Sequence, residues 1–269
     1  MADEEVYEVF ALRYAERSDR TRRESFIFAD AHDAAHPIDY YIWVARSANR
    51  LVVIDSGFDR AEAEQRERRL LRTPAETLAM LEVDAARVSD VVITHMHYDH
   101  AGSLGDFPAA RFHLQADEMA YVTGPCMCHD ELRHPFTAEH VCAMVRKVYS
   151  GRVAFSDGDA EIAPNLTVHK IGGHTRGLQC VRVLTRRGWV VLASDASHFY
   201  ENFEKRRMFP IVLDAEAMLK GFRRLQDLAE SPDHVVPGHD PLVRALYPAE
   251  NERLEGIVHR LDVEPKARG

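Results

Sequence analysis

The sequence predicts an α/β fold in which packed sheets carry helices on their outer faces. Three features predict it: β-branched and aromatic runs recur along the chain, helix-period segments follow them in each half, and no solenoid-type repeat of about 20–50 residues is present. With 269 residues there is ample chain to bury a core. No Gly/Ser/Pro-rich linker divides it, so residues 1–269 read as one domain.

Residues 1–38 read as a covering or interface segment. Tyr7, Val9 and the run from Ser25 to Phe28 favour strand pairing there, and His32, Asp33 and His36 an irregular loop. Tyr40 to Val44 and Leu51 to Ile54 form two strands joined by the turn-prone stretch from Ser47 to Arg50. Asp55, Ser56 and Gly57 stop the second strand. Thr73 then caps a helix, with Pro74 in its first turn, Glu76 placed for the reciprocal bond, and Leu78 and Leu81 on one apolar face. Val88 and the run Val91 to Ile93 return to a buried strand that ends at Thr94. Arg111 to Leu114 is another short strand, a helix follows at about 116–122, and Val141, Val145 and Val148 mark one face of a later helix.

The second half repeats the alternation. Leu166 to Ile171, Leu178 to Leu184 and Trp189 to Leu192 are strands, the last two joined by a turn at Arg187 and Gly188. Asp214 caps a helix whose Met218, Phe222, Leu225 and Ala229 recur at helical spacing. His234 to Val236 is a short strand before Pro237 and Gly238.

Hydrophobic residues make up 46% of the chain and charged residues 29%, a composition that buries a core rather than staying disordered. Lys and Arg number 34 against 43 Asp and Glu, a formal charge of -9 that speaks against a broad nucleic-acid surface. No apolar run approaches the roughly 20 residues that cross a bilayer, and the acidic start does not resemble a secretory signal. Cys126, Cys128, Cys142 and Cys180 form no disulfide-scaffold pattern. The expectation is a cytoplasmic protein with no nucleic-acid or membrane partner. Cys126, Cys128 and His129 admit a metal reading, but no second cysteine pair matches them, and pocket or surface residues are the simpler account.

The densest chemistry lies at His95, His97, Asp99 and His100, within six residues. Imidazole nitrogens with a carboxylate oxygen suit zinc and accept other divalent transition metals. In extended backbone His95 and His97 point to one side; Asp99 and His100 reach a second ion only if the chain turns. Gly172, Gly173 and His174 add a donor at a turn, Asp195 follows a strand end, and His239 follows Pro237 and Gly238 after another short strand.

In this order and at these separations, the motifs resemble the metallo-β-lactamase superfamily from about residue 40 to 240, and within it the N-acyl-homoserine lactonase-like branch. The resemblance implies an αβ/βα sandwich, two mixed sheets packed face to face with helices outside and metals at one edge. It implies two divalent ions, zinc by preference: the first held by His95, His97 and His174, the second by Asp99, His100 and His239, with Asp195 bridging them. Asp55 matches a position that supports the metal-bearing loop. Two departures stand out: Ile171 occupies a site often filled by proline, and His198 stands where these lactonases carry a tyrosine, with Tyr200 two residues further on.

The implied activity is hydrolytic opening of a lactone, an N-acyl-homoserine lactone or a related small lactone, by metal-bound hydroxide attacking the carbonyl. Asp99 is a candidate ligand and proton shuttle. His198 is a candidate catalytic group, as a neutral donor to the carbonyl or an imidazolium acid, with orientation of a neighbour or plain packing as alternatives. Met127 and Phe136, in the irregular segment 124–136, and Phe199, Tyr200 and Phe203 are candidates for the substrate pocket, with a surface loop for the first pair and core packing for the three aromatics as the alternative readings. Lys205, Arg206 and Arg207 form a basic surface patch. Partners are then a small lactone and, as one reading of the first segment, a second copy of the chain. The alternatives are a metallo-hydrolase for thioesters, amides or phosphoesters, a mononuclear iron oxygenase, and a noncatalytic small-molecule-binding protein.

Overall fold

A computed structural model describes residues 5–28 and 33–267. Its strands are β1 (Glu8–Arg17), β2 (Ile38–Arg46), β3 (Leu51–Ile54), β4 (Arg69–Leu70), β5 (Asp90–Val92), β6 (Arg111–Gln115), β7 (Val153–Ser156), β8 (Ala160–Ala163), β9 (Leu166–Lys170), β10 (Gln179–Thr185), β11 (Gly188–Ser194), β12 (Val235–Pro237) and β13 (Val258–Arg260). Its α-helices are α1 (Arg60–Gln65), α2 (Pro74–Ala79), α3 (Tyr98–Ala101), α4 (Ala116–Val122), α5 (Asp130–Arg133), α6 (Ala138–Tyr149), α7 (Tyr200–Lys205), α8 (Ala215–Leu228) and α9 (Leu242–Leu246).

Two mixed sheets face each other. The first runs β13-β1-β2-β3-β5-β6-β7, with β4 beside β1; the second runs β12-β11-β10-β9-β8. Side chains of β1 and β2 alternate between two covered faces, so β2 is buried along nearly its whole length and β1 through its middle. Val9, Ala11, Tyr41 and Trp43 belong to the core between the sheets, and Phe10, Leu12, Tyr40 and Ile42 to a second core under the helices on the outer face. Helix α8 covers the second sheet with Met218, Phe222 and Leu225, and Asp214 caps it by accepting from the Ala217 N–H at 2.9 Å. The Thr73 capping box forms as its sequence predicts.

Several expectations change. Strand β1 is longer than Tyr7 and Val9 suggested and pairs with β2 on one side and β13 on the other. The stretch Ser25 to Phe28 is no strand: it forms turns, with Phe28 exposed. His32 lies outside the described residues. In α6 the buried residue is Met144, while Val141 is only half-buried, because the helix rests on the outer core one position away from the valine stripe.

Parallel pairing aligns the strand ends that matter. β3 runs parallel to β5, and β11 parallel to β12, so their C-terminal ends open on one edge between the sheets.

Candidate metal centre

Asp55 follows β3 in left-handed backbone, φ 63°, a conformation Asp tolerates better than most residues. From there its carboxylate accepts from the Thr94 N–H at 2.7 Å and the Thr94 hydroxyl at 2.8 Å, and meets His100 Nδ1 at 2.7 Å. The chain leaving β5 is therefore pinned while it passes His95 and His97, then turns into α3 with Asp99 and His100. Met96, between the two histidines, packs into the outer core.

Asp195 and His239 come from the ends of β11 and β12. A Cβ on Gly238 would lie 2.7 Å from the Ser194 carbonyl oxygen, so glycine lets the two strand ends close up. His174 comes from the loop between β9 and β10, where Gly173 has φ 85° and a Cβ would meet the Met218 backbone at 2.6 Å.

All seven expected donors meet in one buried cluster. His95, His97, His174 and Asp195 each present an atom within 4.8 Å of the others, and Asp99, His100 and His239 form a second such group. Asp195 stands between them. Its Oδ2 lies 3.1 Å from His174 Nε2, and its Oδ1 lies 3.2 Å from His100 Nε2 and 3.0 Å from His239 Nε2. His97 Nδ1 and His174 Nε2 face each other at 3.0 Å.

Inside this cluster His95 Nε2, His100 Nε2 and Asp195 Oδ1 are buried and close to other donor atoms, yet none makes a hydrogen bond of proper angle among the described residues. Buried polar atoms are otherwise nearly always paired, so this inward set of imidazole and carboxylate atoms fits cations. The outward nitrogens are anchored: His174 Nδ1 at 2.7 Å from the Ile211 carbonyl, His239 Nδ1 at 2.9 Å from the Asp39 carbonyl, and His95 Nδ1 at 3.2 Å from Thr94 Oγ1. Such anchors fix each ring with its other nitrogen aimed inward.

The electrostatics match a site built for added positive charge. Burial, reinforced by neighbouring imidazoles, pushes His95 and His97 well below the ordinary histidine range. Burial also opposes charge on His100, but Asp195, Asp99 and Asp55 outweigh it and carry the ring well above that range. For Asp195 burial favours the neutral acid, yet His239, His198 and His100 hold it well below the usual carboxylate range.

A model of the metallo-beta-lactamase superfamily matches residues 37–254. The chain belongs to that superfamily. A probable metallo-hydrolase of Mycobacterium tuberculosis is 28% identical over 180 residues, 63% of this chain and 57% of that protein. An N-acyl homoserine lactonase of a Bacillus species is 28% identical over 152 residues, 56% of this chain and 55% of that protein. The chain thus spans little more than half the length of these curated relatives. Among solved structures, a quorum-quenching N-acyl homoserine lactone lactonase superposes with a TM-score of 0.73 at 18% identity, over 90% of this chain and 95% of that one. A dizinc quorum-quenching lactonase does so with a TM-score of 0.69 at 12% identity, over 99% of this chain and 100% of that one. The fold is the metallo-β-lactamase fold, two mixed sheets with helices outside.

Around this metallo-β-lactamase centre the pocket candidates separate. His97 and His174 line a cavity of about 220 Å³ with Leu132, Pro135, Ile211 and Leu213. Met127 and Phe136 line a neighbouring cavity of about 640 Å³, and the Phe136 ring stands 4.5 Å from His97. The aromatic wall expected from Phe199, Tyr200 and Phe203 is not found along either cavity. Tyr200 and Phe203, three apart on α7, share the helix face that sinks into the core between the sheets, and Phe199 packs on His36 at 4.2 Å. His198 does reach the centre: its Nε2 is 2.9 Å from Asp195 Oδ2, and its ring stacks on Phe209 at 3.7 Å. Cys126, Cys128 and His129 join no metal-type group among the described residues.

Sequence reasoning missed Glu118. Fully buried on α4, it accepts from the Met96 N–H at 2.9 Å, the Thr175 hydroxyl at 2.7 Å and the Gly177 N–H at 2.9 Å, tying the His95–His97 segment to the His174 loop. The available signal was a carboxylate sharing a helix face with Tyr121 and Val122.

Proposed function

We propose that the protein is a zinc-dependent hydrolase that opens a lactone ring, with an N-acyl-homoserine lactone or a related small lactone as substrate. The observation that carries this reading is Asp195, whose two oxygens each face a different donor group. The similarity to N-acyl homoserine lactonases supports the choice of lactone.

His95, His97 and His174 would hold one ion, Asp99, His100 and His239 the other, with Asp195 shared. When bound, two zinc ions would supply a Lewis acid for the carbonyl and acidify water towards neutral pH. Asp99, 3.6 Å from His239 Nε2, would take the proton of the attacking water and return it to the ring oxygen as the acyl C–O bond breaks. His198 serves another purpose. Burial outweighs the pull of Asp195 and pushes its pKa down to about 3, so the ring is neutral and donates Nε2–H to that carboxylate, orienting it. Leu132, Pro135 and Ile211 would offer apolar contacts to the substrate beside the reacting carbonyl.

A mononuclear oxygenase would leave the group of Asp99, His100 and His239 without a role. The test is turnover of zinc-reconstituted protein against lactones, thioesters and phosphodiesters, with product masses. The expected result is lactone gaining one water, abolished by a chelator and restored by zinc. No lactone conversion beside fast hydrolysis of another class overturns the reading, and metal-dependent oxygen consumption would point to the oxygenase.

A further inference from the structure

The larger cavity beside the metal centre combines apolar side chains with a guanidinium that makes no direct ion pair among the described residues. Val122, Met127, Phe136 and Val141 give it an apolar surface, and Arg66, Arg68 and Arg133 stand along it. Arg66 pairs with Glu62, and Arg133 with Asp130. Arg68 has no carboxylate partner among the described residues. The surface residues Lys205 and Arg207 differ in this respect, since both pair with Glu201. The exposed Glu67 also borders the cavity and makes no ion pair with Arg68.

Arg68 is also held in place. Its Nε donates to the Tyr98 hydroxyl at 3.2 Å, that hydroxyl meets the Tyr40 hydroxyl at 3.1 Å, and the Tyr40 ring stands edge-on to His239 at 5.3 Å. Phe136 links the same cavity to His97. Arg20, 8% exposed and with its Nη1 unpartnered among the described residues, lies with Arg68 near Tyr40, where burial and Asp99 push the hydroxyl up in pKa against the pull of both guanidiniums. Against burial, Tyr98, Tyr40 and Asp99 favour the charged form of Arg68, so a half-buried guanidinium that no carboxylate touches stands ready along this cavity for an anionic ligand.

We propose that this cavity receives the acyl arm of the substrate and that the arm ends in an anionic group, a carboxylate, bound by Arg68. The proposal rests on the hydrolase reading for the arm's other end, but the anion site itself does not require it. Alkyl carbons would lie on Val122, Met127 and Val141, and the terminal carboxylate would take charge-assisted hydrogen bonds from the guanidinium.

Two measurements test it. Binding of hexanesulfonate and of its neutral counterpart hexyl methyl sulfone is compared by calorimetry in the zinc-loaded protein and in Arg68→Met. The parent should prefer the sulfonate by at least ~10-fold, and Arg68→Met should bring the two within about 2-fold. Arg68→Lys, which keeps a cation, should retain part of the preference, and decides the matter if Arg68→Met does not fold. Equal sulfonate binding in parent and Arg68→Met would place the anion on the histidine cluster and overturn the proposal, as would a parent with no preference.

The second measurement compares kcat/KM for an N-acyl lactone whose chain ends in carboxylate with that for its methyl-ended analogue. The ratio should exceed ~10 in the parent and fall towards unity in Arg68→Met through KM. A ratio near unity in the parent overturns the proposal. Absence of turnover on both lactones contradicts the lactonase reading alone, and the sulfonate comparison then decides the anion site.

Discussion

Asp55 sets the aim of the His100 ring without belonging to either donor group. It meets His100 Nδ1 at 2.7 Å while holding Thr94 through two further bonds, so its loss frees the imidazole and the loop together. Asp55→Ala is expected to weaken metal binding by ~10- to 100-fold, measured by competition with a chromogenic chelator; unchanged affinity would remove Asp55 from the site. Glu118 acts on the opposite side, where three donors converge on its carboxylate. Glu118→Gln places an amide NH₂ among those donors and should cost about 1–3 kcal/mol in urea unfolding. His198→Ala should keep both metals yet lower kcat ~10-fold, because Asp195 loses the group that orients it. The donors were legible because they sit in short motifs at strand ends. Glu118 was not, because its partners at Thr175 and Gly177 are more than 50 residues away in sequence and only the fold brings them near.

At the scale of elements, local signals succeeded where capping and turn chemistry are strong. Thr73, Pro74 and Glu76 marked α2, Asp214 marked α8, and the β10–β11 turn placed Gly188 at φ 105°. They failed where tertiary pairing makes the element. β13 has three residues and exists through its antiparallel pairing with β1, and the half-exposed β7 is an edge strand beside β6. Helix α7 follows aromatic residues that read equally as a pocket wall, and only its packing sets Tyr200 and Phe203 into the core. The His174 loop offers the sharpest element-scale test. Gly173→Ala combines a left-handed φ with a 2.6 Å approach to the Met218 backbone and should cost at least ~1 kcal/mol in denaturant unfolding, with weaker metal binding. A neutral effect would mean that the loop does not need this close approach to α8.

For the molecule as a whole, the alternation of strand and helix signals pointed to sheets with outer helices, and the two cores on either face of the first sheet are that arrangement. What periodicity could not convey is the parallel alignment of β3 with β5 and β11 with β12, which gathers distant donors at one edge. No helix among the described residues is long and apolar enough to cross a membrane. The four cysteines report on the integrity of this packing. Cys128 and Cys142 are exposed, whereas Cys180 is buried with its thiol pushed up to about 12 by desolvation. Alkylation of native protein should therefore modify Cys128 and Cys142 and spare Cys180 until unfolding, as read by peptide mass. The most direct test of the proposed binuclear centre is the zinc content of purified, zinc-equilibrated protein after removal of free metal. Two ions per chain are expected, with a reduced count in Asp195→Ala. A folded parent that retains one ion or none would contradict the account.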